Sequence, residues 1–107
     1  MPLGTATNPI RTKAMSHTAT RRTTEGVAKT GKGTLHSVTI SPLTATPTAG
    51  LLSIYDNTAE SGTVLYSEWV FATAPGHTII LDVDFSTGLF IGFDGTLANV
   101  AVTVATR

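Results

Sequence analysis

The sequence contains no cysteine, and only 13% of its 107 residues carry a charge. The chain can therefore form no disulfide and no thiolate metal site, which fits synthesis in a reducing compartment. No apolar run approaches the ~20 residues of a membrane-spanning helix, so no membrane partner is expected. Residues 1–4 also lack the apolar stretch that opens a secretory signal.

The length allows one domain and a tail. A body of about 74 residues would bury only ~60–65% of the surface that its unfolded chain exposes, so its core would be marginal. Because disulfides are excluded, we expect oligomerisation to supply the missing stability. Threonine occurs 21 times, which predicts a β surface kept soluble by hydroxyl groups rather than by charges.

The charges are sorted along the chain. Six basic residues and one acid, Glu25, give residues 1–33 a net charge of +5, and one basic and six acidic residues give residues 34–107 a net charge of −5. Such asymmetry is typical of a tail that docks on a partner. The candidate partner-binding residues are the six cations of the arm: Arg11, Lys13, Arg21, Arg22, Lys29 and Lys32.

This arm favours a protein partner over nucleic acid. It has no aromatic side chain on which bases could stack, and its cations are spread over some thirty residues. An acidic protein surface, such as the body of a neighbouring copy, suits it better. Residues 1–26 show no period of 2 or 3.6, so we expect an extended arm over residues 1–33 whose residues 2–26 can be deleted without unfolding the domain at 34–107.

From residue 34 onwards, short runs with alternating polarity predict β-strands. Proline, glycine and asparagine separate them about every 8–12 residues. The segment Asp94-Gly95-Thr96 predicts a tight hairpin between the last two strands. We therefore predict an all-β protein: an antiparallel β-sandwich or jelly-roll-like body of six to eight short strands. The predicted runs are 34–40, 51–55, 63–72, 78–85, 89–93 and 97–106.

No motif predicts an enzyme, a cofactor or a metal site. The segment 26–34 nearly matches a phosphate-binding loop, but glycine replaces the hydroxyl residue after Lys32, and no helix is predicted to follow. Asp82 and Asp84 share a strand face, where a solvated outer surface is the favoured interpretation over a Ca²⁺ or acid–base site. The histidines lack metal-ligand spacing, and His36 is expected to be a partly buried structural residue.

The aromatic residues leave two interpretations open. Five of them recur at strand period, and they could form a platform for sugar stacking or part of the core. Core packing is the commoner fate and is our prediction. These residues are Trp69, Phe71, Phe85, Phe90 and Phe93.

Two stretches resemble small β-rich proteins encoded by tailed bacteriophages. Residues 53–65, SIYDNTAESGTVL, resemble an I-Y-D-N-x-A-x-S-G-T segment of those proteins, and residues 85–91, FSTGLFI, resemble their C-terminal half. The resemblance covers residues 33–107 and does not extend to the arm. It implies a non-enzymatic virion protein, a capsid decoration (cement) protein assembled in the host cytoplasm and located on the capsid surface.

The resemblance also implies partners. Proteins of this type are commonly β-sandwich trimers, so the expected partners are the major capsid protein and neighbouring copies of the chain. The arm would lie along one of them. Two alternatives remain: a receptor- or glycan-binding module of a tail or fibre, and a protein that contacts DNA inside the head, whose affinity would fall steeply with salt.

Overall fold

The computed structural model describes residues 17–73 and 75–107, and this part of the chain forms eight β-strands and no helix. Within these residues, therefore, no helix is available that could cross a membrane. Arg11 and Lys13 lie outside the described residues. The strands are β1 Thr18–Arg22, β2 Gly26–Thr30, β3 Gly33–Pro42, β4 Gly50–Asp56, β5 Thr63–Val70, β6 His77–Phe85, β7 Gly88–Asp94 and β8 Val100–Thr106.

The strands form two four-stranded sheets. Sheet I has the order β1-β8-β3-β6, and sheet II has the order β2-β7-β4-β5. All neighbouring strands are antiparallel. This order, with four strands in each layer and crossovers between the layers, is that of an eight-stranded jelly roll. The predicted fold class is confirmed.

The core fills the space between the two sheets. In β3, Leu35, Val38 and Ile40 point inwards. Leu35 and Val38 are three residues apart, and both can face the core because a bulge at His36 shifts the alternation by one residue. Each fully buried aliphatic side chain contributes about 1.5–3 kcal/mol. Besides those three residues, the core contains Leu52, Ile54, Val70, Phe85, Leu89, Ile91, Leu97, Val100, Val102 and Val104.

The second half of the predicted arm belongs to the sandwich. β1 pairs with β8 from Thr18 to Arg22, and β2 pairs with β7. A Cβ atom at Gly88 would lie 2.7 Å from the Lys29 carbonyl oxygen, so a glycine here allows β2 to approach β7. Deleting residues 2–26 would therefore remove β1, contrary to our expectation. The sequence pattern did not predict these two edge strands, because neither has a clear alternation of polar and apolar residues.

The segment resembling a phosphate-binding loop folds as a strand, a turn and a strand. Gly26–Thr30 is β2, and Gly33 begins β3. Gly31 has φ +82°, a left-handed conformation that glycine adopts without strain, and this conformation tightens the turn. The helix N-terminus that would bind phosphate is absent from this described segment.

The prediction that the last two strands, β7 and β8, form a hairpin is wrong. Gly95 does turn the chain, with φ +68°, but β7 and β8 belong to different sheets. The intervening residues cross the end of the sandwich, where Leu97 is buried and Asn99 adopts φ 61°. Local turn chemistry therefore gave the position of the turn but not the pairing of the strands.

The outer face of sheet I carries hydroxyl groups. Thr103, Thr39 and Thr78 form a row across β8, β3 and β6. The hydroxyl oxygens of Thr39 and Thr78 are 2.9 Å apart. This row agrees with the prediction of a β surface that relies on hydroxyl groups for its solubility.

Candidate binding surface

Among the described residues, four of the six large apolar side chains that are exposed lie on the outer strands β5 and β6 or directly after β5. Trp69 is 51% exposed and Phe71 is 61% exposed. Their rings meet edge to face, with centroids 6.5 Å apart and planes at 70°. Val64 on β5 and Ile80 on β6 are also about half exposed. Ile80 points outward from sheet I, whereas Val64 and Trp69 point outward from sheet II. We call Val64, Trp69 and Phe71 the apolar edge.

The register of β5 places Trp69 on the outside. Glu68 pairs with the buried Leu52 and shares its inward face, so the next residue, Trp69, points away from the core beside Leu51. Phe71 follows the last residue of β5 and starts the loop to β6. The prediction that these two aromatic residues pack in the core is therefore wrong.

The other three aromatic residues are less exposed. Phe85 is buried, as predicted, and Phe90 and Phe93 are half-buried. The Phe90 ring lies 6.5 Å from the ring of Tyr55 on the neighbouring strand. Of the five, only Trp69 and Phe71 can therefore offer a platform to a partner.

Polar side chains bridge β5, which bears the apolar edge, and β6. The Glu68 carboxylate on β5 lies 3.0 Å from Nε2 of His77 on β6, and the Tyr66 hydroxyl donates to it at 2.8 Å. The hydrogen bond to Glu68 raises the pKa of His77. Burial, helped by the same carboxylate, raises the pKa of Tyr66 to about 12. This network fixes β5 against β6 beneath the apolar edge.

The two segments that carry the resemblance meet at Asp56. Its carboxylate accepts hydrogen bonds from the backbone N–H groups of Ser86 and Thr87, with a shortest distance of 2.8 Å. These bonds lower the pKa of Asp56. The carboxylate thus holds the turn between β6 and β7 against the end of β4. At this point the motif residue Asp56 has a structural role.

Three carboxylates gather near the outer face of sheet II. Hydrogen bonds to Asp94 and Glu25 raise the pKa of Glu60 to about 7. Within residues 17–73 and 75–107, however, no group of three or more acidic or histidine side chains is arranged to hold a metal ion. The raised pKa follows from placing like charges together, which favours the protonated form of Glu60.

A histidine–carboxylate pair lies on the outer face of sheet I. Nδ1 of His36 is 2.5 Å from Oδ1 of Asp82, and the His36 ring stacks on His17 at 4.3 Å. Asp82 has φ 50° at a bulge in β6, and its contact with His36 lowers its pKa. As predicted, Asp82 and Asp84 are exposed. The pair holds the bulge against β3.

The predicted partner-binding cations separate into different environments. Arg21 is exposed on β1, whereas the Arg22 guanidinium donates to the carbonyl groups of Thr24, Glu25 and Val27 and stabilises the turn. Lys29 is half-buried on β2, and Lys32 is exposed in the next turn. The structure thus brings Arg21, Arg22 and Lys29 to one side of the sandwich.

The exposed aromatic pair is the feature that alternation alone could not reveal. The signal that could have indicated it is the run of loop residues directly after Phe71, including Pro75 and Gly76. Comparison of the chain with models of protein families, with curated proteins and with solved structures finds no match. Its function must therefore be inferred from these surfaces and from the resemblance of the two segments.

Proposed function

We propose that this chain is a capsid decoration protein of a tailed bacteriophage, which binds the outer shell of the head and stabilises it. The observation that carries the proposal is the apolar edge. Monomeric proteins seldom expose several large apolar side chains together unless they form a binding site, and aromatic residues are enriched where binding energy is concentrated. The resemblance of residues 53–65 and 85–91 supports the assignment to a virion.

The expected partner of the apolar edge is the major capsid protein. Trp69 and Phe71 would enter a pocket or groove on its surface, which would remove apolar area from water. Residues 2–16, with Arg11 and Lys13, would add electrostatic contacts to acidic groups of the shell. Weak contacts of this kind, repeated over a lattice, reinforce each other through multivalency.

Co-sedimentation with capsids tests the proposal. Capsids would be assembled from the major capsid protein encoded in the same genome and incubated with the purified chain. A variant with Trp69→Ala and Phe71→Ala is expected to lose at least about tenfold in affinity. The matched control is Val27→Ala, which truncates an exposed apolar residue on β2 at the opposite side. No binding by the wild-type chain, or equal binding by the double variant, contradicts the proposal.

The aromatic pair also favours a second candidate, a glycan-binding module of a tail or fibre. Exposed Trp and Phe rings are surfaces on which sugar rings can stack. This function predicts that the chain binds defined glycans without any capsid and that the Trp69→Ala variant does not. A glycan array with both proteins separates the two functions, because a decoration protein gives no specific signal on it.

A further inference from the structure

The charges of the two sheets are sorted by edge. β1 and β2 are the outer strands on one side of the sandwich, and β5 and β6 are the outer strands on the other side. In the described sheets, the four central strands carry Asp, Glu, Lys or Arg only at the ends of β4 and β7. The basic side carries Arg21, Arg22 and Lys29 on its strands and one acid, Glu25, in the turn between them. The acidic side carries Glu68 and Asp82, which contact His77 and His36, and Asp84.

Arg21 and Asp84 lie on the two opposite outer strands of sheet I. Arg21 is exposed on β1, and Asp84 is exposed on β6, the other outer strand of sheet I. Asp84 accepts one hydrogen bond, from the Thr34 hydroxyl at 2.7 Å, and a carboxylate can accept several more. Both groups can therefore reach a neighbouring molecule.

The charge pattern opposes pairing of like edges. If two copies met through the same side, as in a two-fold dimer, Arg21 would approach cations or Asp84 would approach carboxylates. Like charges placed together cost binding energy and exclude wrong partners. If the basic side of one copy meets the acidic side of the next, each edge finds opposite charge.

Strand direction allows the same arrangement. Because sheet I has four antiparallel strands, β1 and β6 run in opposite directions. The same holds for β2 and β5 in sheet II. A copy placed head to tail would bring β1 alongside β6 and β2 alongside β5, both antiparallel, so that both sheets continue across the contact.

We propose that copies of this chain associate head to tail, with the β1–β2 side of one copy against the β5–β6 side of the next. Outer strands offer backbone N–H and C=O groups to such a neighbour. The contact is heterologous, so it forms a closed ring when the rotation between copies closes and a filament otherwise. This inference does not rest on the proposed function. The contact uses the backbone edges of β5 and β6, whereas Trp69 projects from the outer face of sheet II and stays accessible to another partner.

Charge reversal at the two edges tests the inference. Arg21→Glu removes two units of positive charge from the β1–β2 side, and Asp84→Lys removes two units of negative charge from the β5–β6 side. The double variant restores opposite charges at positions 21 and 84 across the contact. The control is Glu60→Lys, which matches the charge change of Asp84→Lys. The Glu60 carboxylate lies over Gly92 on the central strand β7, where an added Cβ would be 3.3 Å from it. Circular dichroism checks that each variant is folded.

Sedimentation equilibrium supplies the measurement. We expect the wild-type chain and the control to self-associate, each single variant to associate at least about tenfold more weakly, and the double variant to recover. An equimolar mixture of the two single variants should form a complex, because the unchanged β5–β6 side of the Arg21→Glu variant can meet the unchanged β1–β2 side of the Asp84→Lys variant. A wild-type chain that stays monomeric, or single variants that associate like the wild type, would overturn the inference; so would a mixture that forms no complex.

Discussion

Removing the large Trp69 side chain should cost far less stability than removing the smaller Leu52. Leu52 is fully buried, and truncation of a buried leucine to alanine costs about 2–5 kcal/mol. Trp69 is half exposed and makes an edge-to-face contact with Phe71, and such a contact is worth about 0.5–1.5 kcal/mol. We therefore expect about 1 kcal/mol for Trp69→Ala, against the ~3–5 kcal/mol typical of a core tryptophan.

Urea unfolding followed by far-ultraviolet circular dichroism measures this difference. Fluorescence is unsuitable because the chain has a single tryptophan. The measurement is made at a concentration where the chain is monomeric, so that lost association does not count as lost stability. The register of β5 described above would be refuted if Trp69→Ala destabilised the protein as much as Leu52→Ala does.

Two further predictions concern the edge strands. Because Glu68 raises the pKa of His77 above 6.5, the protonated imidazole stabilises the fold fully below that value, and the contribution disappears as pH rises through the higher folded pKa. The melting temperature of the wild type should therefore exceed that of His77→Gln more at about pH 6 than at about pH 8.5. Glu60, with a pKa of about 7, titrates in both proteins, so its effect cancels in the difference. A difference in melting temperature that does not change with pH would contradict the bond between His77 and Glu68. Deletion of residues 2–16 should leave the melting temperature nearly unchanged. Deletion of residues 2–26 removes β1 and should lower the melting temperature by at least ~10 °C, which corresponds to about 2 kcal/mol in a domain of this size. Equal melting curves for the two deletions would show that β1 does not contribute to stability.

Much of the fold could be predicted from the sequence. Each of the six predicted strand runs overlaps one strand from β3 to β8, because in these strands alternation separates the core face from the solvent face. β1 and β2 were missed because they are outer strands rich in Thr, Arg and Lys, and partner strands rather than their own sequence hold them in place. The pairing of strands follows from how the chain crosses between sheets, which local turn signals such as Gly95 do not encode.

The candidate surface was less predictable. Alternation placed Trp69 and Phe71 on a single face, but only the pairing of Glu68 with Leu52 shows that this face is the outer one. An inward glutamate is unexpected in a strand pattern, and it is tolerated here because His77 and Tyr66 contact its carboxylate. The charge segregation along the chain was visible from the start. That the charges lie on two opposite edges of the sandwich could be seen only from the order of the strands in the sheets.

Acrylamide quenching of Trp69 fluorescence tests the role of the apolar edge most directly. In the free monomer the indole should be readily quenched, since half of its surface is exposed. On addition of capsids, quenching should fall and the emission should shift to shorter wavelength, because the ring leaves water. A tryptophan already protected in the monomer, or one equally quenched when the chain is bound to capsids, would contradict the assignment of this edge as the docking surface.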